Sequence, residues 1–162
     1  MAYEFRARRR VEFSETDMAG IVHYANFFRY METAEHGFYR SLGFSVVTNH
    51  TDPPVGWPRV HAECDYFRPL RFEDELEIQL LVKEKRTRAL SLAFRFRRVS
   101  PGPVEEVARG LLTVVCVTHA PGAPMKAVPI PREIADLIEV APAAMLAVPE
   151  KKSPAEPGGS AG

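Results

Sequence analysis

An aspartate three residues ahead of a glycine, just before an apolar period of helical spacing, is the part of this chain best equipped for chemistry. The stretch runs Glu15-Thr16-Asp17-Met18-Ala19-Gly20-Ile21-Val22-His23-Tyr24-Ala25-Asn26-Phe27-Phe28. Asp17 would lie beside a helix N-terminus, where free backbone N–H groups and the helix dipole polarise a carbonyl or hold an anion. A carboxylate has an intrinsic pKa near 3.9, so it is ionised at neutral pH and can attack an acyl carbon or deprotonate water without a partner base. Gly20 permits close approach or an unusual dihedral. The amides around His23 and Tyr24 could face a carbonyl oxygen, and one such donor lowers a barrier by about 3 kcal/mol. Taken alone, the plainer reading of Asp17 is a turn or cap acid that binds nearby backbone N–H groups.

Other reactive side chains have bland readings of their own. His23 could move a proton near neutral pH, or simply form a surface or a pocket wall. His36, His50, His61 and His119 are scattered without ligand spacing. Glu32 and Glu35 are expected to solvate or pair across a helix surface, with Glu35 close enough to the apolar stripe to border a pocket. Cys64 and Cys116 fall in apolar, strand-like segments and read as inert core thiols. Arg86, Arg88, Arg95, Arg97 and Arg98 cluster around one hairpin. They read as a solvated edge, with contact to the phosphates of a nucleotide-bearing ligand as the alternative.

The elements that must position these residues follow from periodicity. Residues 5–13 read as a strand with Phe5, Ala7, Val11 and Phe13 on one face and Arg9 interrupting it. From Ala25 to Leu42, the residues Phe27, Met31, Ala34, Phe38 and Leu42 make one stripe of an α-helix, which Gly43 stops. Gly37 inside it costs about 1 kcal/mol against alanine, and close approach of another backbone is the expected compensation. Residues 48–58 form a loop rich in turn formers, where Trp57 lines a pocket or plugs the end of the core. Alternating segments at 60–67, 76–83 and 90–97 read as strands. A run at 107–117, apolar on both faces, implies cover on both sides. Pro131 opens a short helix over 132–138.

The predicted order is a strand, a long helix and four strands. Its economical packing is an α+β arrangement, a five-stranded antiparallel sheet curled around the helix. Outer apolar residues on that sheet would call for a partner copy. The chain has 162 residues, with 21 basic and 21 acidic side chains. That length suggests one domain, and the balance leaves no global field to attract nucleic acid or an anionic membrane. No apolar run approaches a membrane span and the N-terminus lacks an apolar signal core, so a cytoplasmic location is expected. The polar, Gly/Pro-rich residues 149–162 are expected to be disordered, leaving 1–148 as the folded domain.

The segment from Val11 to Phe27 resembles the signature of hotdog-fold acyl-CoA thioesterases of the 4-hydroxybenzoyl-CoA thioesterase type. That pattern has an aspartate, two residues, a glycine, an aliphatic pair, two aromatic or histidine positions, then a small residue and an asparagine. The segment Cys64 to Ile78 and the run from Val107 are similar to later parts of the family, so the resemblance covers roughly residues 5–140. It implies a hotdog fold, dimerised through the sheets and often paired again into a homotetramer, with active sites at the dimer interface. Asp17 would be the catalytic nucleophile or general base, and the Tyr24 N–H would polarise the thioester carbonyl. Gly20, Val22, His23, Tyr24 and Asn26 would be the substrate-binding set, with His23 and Tyr24 lining the acyl pocket. The substrate would be a short-chain or aromatic acyl-CoA, and no metal or cofactor is needed. The rivals are a hotdog hydroxyacyl-thioester dehydratase and a non-catalytic acyl-CoA-binding hotdog domain.

Overall fold

A computed structural model describes residues 1–47 and 51–148. The expectations for His50 and for the tail at 149–162 lie outside the described residues. Strand β1 (Glu4–Arg10) leads through a single 3-10 turn at Phe13–Glu15 to helix α1 (Asn26–Ser41). After it come β2 (Val55–Gly56), β3 (Arg59–Tyr66), β4 (Glu75–Lys85), β5 (Ala89–Ser100), β6 (Glu105–Val115) and β7 (Val117–Thr118). Two four-residue helices, α2 (Arg132–Ala135) and α3 (Ala143–Leu146), follow.

The main sheet has five strands in the order β1-β4-β5-β6-β3, every neighbour antiparallel. The expected α+β arrangement is therefore present, with α1 against one face. Phe27, Tyr30, Met31, Ala34 and Phe38 of the helix are buried against Leu76, Ile78, Leu80, Leu92, Phe94 and Leu112 of the strands. One row of the sheet shows how closely the surfaces fit. Phe5, Leu80, Phe94, Gly110 and Cys64 lie opposite one another across the five strands. A Cβ on Gly37 of the helix would sit 2.6 Å from the ring of Phe5, and one on Gly110 would collide with the sulfur of Met31. Each layer supplies a glycine where the other supplies a large side chain, which keeps the packing dense without overlap. The partner of Gly37 is thus a phenylalanine ring, where a backbone was expected.

Several sequence expectations need correction. Phe13 does not close β1. It opens the 3-10 turn, is 75% exposed, and meets Phe72 edge-on with ring centroids 5.8 Å apart. The proline-rich loop contains β2, paired with β7, and Trp57 is buried against Tyr39 as a plug. The helix expected over 132–138 is helical only to Ala135, where Lys85 donates to the carbonyls of Ala135 and Ile138.

The outer face of the sheet is also more polar than expected. Glu77 accepts from Arg6 and Arg97, Arg97 donates to Gln79, and Gln79 donates to Glu4. Outward apolar residues are few because charged or polar side chains take most outward positions of β1, β4 and β5. Where they do occur, a cleft of about 210 Å³ forms between Leu81, Ala93 and Leu111 of the sheet and Leu146 and Val148 of the C-terminal segment. Arg95 holds that segment down by donating to the carbonyls of Met145 and Ala147.

Candidate active site

Asp17 sits at the tip of a small hairpin closed on itself and pinned to its surroundings. The N–H of His23 donates to the carbonyl of Glu15 (2.9 Å), Thr16 and Val22 form an antiparallel bridge, and the N–H of Asp17 donates to Ile21 (2.9 Å). The turn closes with the N–H of Gly20 on the carbonyl of Asp17, and Gly20 has φ of +75°. That left-handed conformation explains a glycine there. One carboxylate oxygen of Asp17 accepts the N–H of Ala19 at 2.8 Å, the local turn bond that the plainer reading anticipated. The Asx bond orients the carboxylate without excluding chemistry at its second oxygen.

The base of the hairpin rests on polar contacts that periodicity could not reveal. Arg9, the residue that interrupts the inner face of β1, pairs with Glu15, and its guanidinium lies 4.5 Å from the centroid of the Tyr30 ring. The Tyr30 hydroxyl donates to the same carboxylate at 2.8 Å. Burial, reinforced by Glu15, raises the Tyr30 hydroxyl above its ordinary pKa, so it stays a donor. Glu15 also accepts the N–H of Glu12. The carbonyl of Glu15 takes the side-chain N–H of Asn26 at 2.7 Å, so Asn26 ties the first residue of the helix to the hairpin.

The entrance to the helix leaves one donor over. Asn26, Phe27 and Phe28 donate to the carbonyls of His23, Tyr24 and Ala25, and Ala25 donates to the Nδ1 of His23 at 3.2 Å. From His23 through Phe28, the N–H of Tyr24 alone has no acceptor among the described residues. A free N–H just ahead of the first turn lies at the positive end of the helix dipole. The His23 ring, used as a cap through Nδ1, stacks on the Tyr24 ring with centroids 4.4 Å apart. The Tyr24 side chain is exposed, and its carbonyl accepts the hydroxyl of Tyr66 from β3 at 3.0 Å. Val22 is buried in the core and donates to the carbonyl of Leu70 at 2.8 Å.

Asp17, Gly20, His23 and Tyr24 thus share the hairpin and helix entrance, while Val22 and Asn26 hold that unit in place. Arg9, Glu15, Tyr30 and Tyr66 belong to it and were not among the site residues expected from the sequence. Charged residues inside or beside an apolar pattern, such as Arg9, were the available signal. Glu35 departs from its expected role on the helix surface. It is fully buried and accepts from Arg59 (2.6 Å) and Tyr39 (3.2 Å), because the chain entering β3 folds over it. Burial, the largest influence, pushes its carboxyl up against the pull of Arg59. Cys64 and Cys116 are unbridged, and burial lifts both thiols to about 11. They are therefore protonated and unreactive at neutral pH. Of the arginine cluster, Arg86, Arg97 and Arg98 have acidic partners and Arg95 is committed to carbonyls. Arg88 alone among the five has no side-chain acceptor among the described residues.

Comparison with known proteins identifies the family of the chain. Residues 11–138 match the family model described as the thioesterase-like superfamily. A relative from Aquifex aeolicus is 42% identical over 80 residues, 49% of this chain and 62% of its own length. The 1,4-dihydroxy-2-naphthoyl-CoA hydrolase of Gloeothece citriformis is 31% identical over 110 residues, 67% of this chain and 76% of its own. Among solved structures, the 4-hydroxybenzoyl CoA thioesterase of a Pseudomonas strain superposes with a TM-score of 0.74 at 25% identity, over 84% of this chain and 99% of that one. The match spans less than two thirds of the first curated relatives, 62% and 64% of their lengths. With an antiparallel sheet curled on one long helix and the family match covering most of its length, the chain belongs to the thioesterase-like superfamily and has its hotdog fold.

Proposed function

We propose that this protein hydrolyses an acyl-CoA thioester to the free acid and coenzyme A, with Asp17 as the reacting carboxylate. The observation that carries the reading is the unused Tyr24 N–H at a helix start, held to the Asp17 hairpin by the bond between His23 and Glu15. The thioester carbonyl oxygen would accept that N–H, and the developing oxyanion would gain from the helix dipole. Asp17 then acts in one of two ways. As nucleophile, its oxygen bonds to the carbonyl carbon, the carbon–sulfur bond breaks and the thiolate leaves. Water next opens the resulting anhydride. As general base, it takes a proton from the water that attacks directly. A single turnover in labelled water tests for the first route: label reaches the Asp17 carboxylate when water opens the anhydride at its aspartyl carbon, and the general-base route puts none there.

The acyl group is short-chain or aromatic. The Gloeothece and Pseudomonas proteins above are named for aromatic acyl-CoAs, and the stacked rings of His23 and Tyr24 offer a flat aromatic face at the same entrance. The active form is a homodimer at least, further paired into a homotetramer. Its support is β3, an edge strand whose Val60 and Tyr66 are 63% and 45% exposed, whereas the other edge, β1, is rich in arginine. Charge blunts an edge and apolar residues invite pairing. A cytoplasmic location completes the proposal, supported by two unbridged cysteines.

The test is thiol release from a panel of short aliphatic, aromatic and long-chain acyl-CoAs, with Asp17→Asn alongside. Asparagine retains an oxygen to accept the Ala19 N–H, so the hairpin survives while the carboxylate is lost. Turnover is expected to fall roughly 10²–10⁴-fold. Full activity in the variant would sink the mechanism, and no release from any substrate by the wild type would favour the binding module.

A further inference from the structure

We propose that Arg71 binds the pantetheine arm of the substrate by donating to its amide carbonyls; this rests on the thioesterase reading. Arg71 lies in the turn between β3 and β4, and its guanidinium reaches the Asp17 hairpin. A Cβ placed on Gly20 would lie 3.9 Å from its Nη1. The backbone around it is fixed to that hairpin. Leu70, the preceding residue, accepts the N–H of Val22, and the Arg71 N–H is taken by the Asp74 carboxylate at 2.9 Å. Glu73 and Asp74 are in turn bonded to the backbone of Val11. The guanidinium itself has no hydrogen-bond or ion-pair partner among the described residues, Asp17 included.

A guanidinium against the Gly20 turn, with no side-chain acceptor among the described residues, is suited to an external acceptor. The position selects which one. The thioester must sit at Asp17, and the first groups beyond its sulfur are the methylenes and amides of pantetheine. The phosphates lie many bonds further along. Exposed apolar side chains flank the same turn and hairpin: Phe13 and Phe72 in edge contact, and Met18. They suit the arm's methylenes and methyl groups, while Arg71 suits its carbonyls.

The test uses one acyl group carried on coenzyme A, on pantetheine and on ethanethiol, with wild type and Arg71→Ala. The arm contact predicts a loss of about 10–100-fold in kcat/KM with the first two substrates, mainly through KM, as for a hydrogen bond to a charged group. The ethanethiol ester, which has no amide, should show no loss. An equal loss on all three would make Arg71 a prop for the hairpin and overturn the proposal. A loss confined to the coenzyme A ester would assign it to phosphate and overturn it too, as would no loss anywhere. A wild type inactive on every ester would overturn the hydrolysis reading, and the arm contact with it. That outcome is distinct because it does not depend on the variant.

Discussion

At the scale of single residues, two buried or half-buried carboxylates of this chain are used in opposite ways. Glu15 is surrounded by donors from Arg9, Tyr30 and a backbone N–H, which hold the hairpin bearing Asp17. Glu35 is buried, and desolvation raises its pKa despite Arg59. The sign of its effect on stability follows. Below the ordinary glutamate pKa of about 4.3, Glu35 carries a proton in both folded and unfolded chains. As pH rises, the unfolded chain ionises first, so stability is lost until the higher folded value is passed. Glu35→Gln removes this titration. The melting temperature of the variant minus that of the wild type should therefore increase between pH 4 and pH 7. A difference that stays flat across that range would contradict the burial argument.

At the scale of elements, the helix and the sheet are matched by exchange of glycines for large side chains. Ordinary helix propensity favours Gly37→Ala by about 1 kcal/mol. The Phe5 ring at 2.6 Å from the added Cβ opposes it, and overpacking of this kind costs about 1–3 kcal/mol. Net destabilisation in urea is expected, and a smaller effect of the same substitution in a Phe5→Ala background, because the two sites share one contact. A stabilised single variant would show that the ring moves aside freely. The hairpin from Glu15 to His23 is similarly legible only in part. Asp17, Gly20 and the helix period were evident from residue type and spacing. Arg9 and Tyr30 lie in other elements, and their link to Glu15 depends on β1 lying across the helix start.

At the scale of the whole molecule, the proposed dimer would complete the site through an exposed edge strand. Because the outer face carries charged and polar pairs, the proposed assembly is assigned to the exposed edge strand β3 and not to an apolar sheet surface. Sedimentation at micromolar concentration should show a dimer or larger. Val60→Asp on that edge should shift the protein toward monomer and lower thiol release per chain. A wild-type monomer with full activity would contradict a site completed by a second copy.

Local pattern alone determined a good deal. The apolar period from Phe27 to Phe38 requires a helix with one buried face, and the every-second-residue apolar sets Leu76, Ile78, Leu80, Val82 in β4 and Leu90, Leu92, Phe94, Phe96 in β5 require strands, since side-chain direction repeats with each element's own period. The motif around Asp17 and Gly20 marked the candidate site for the same reason, as its parts are neighbours in the chain. Tertiary structure decided what depends on contacts between distant residues. It buried Glu35 beneath Arg59, put a phenylalanine ring against Gly37, made the outer face polar, and brought Arg71 to Gly20. Above all it left the Tyr24 N–H without an acceptor among the described residues while its neighbours were satisfied. No spacing rule encodes that outcome, because it depends on how a hairpin, a histidine ring and a helix turn share their hydrogen bonds in space.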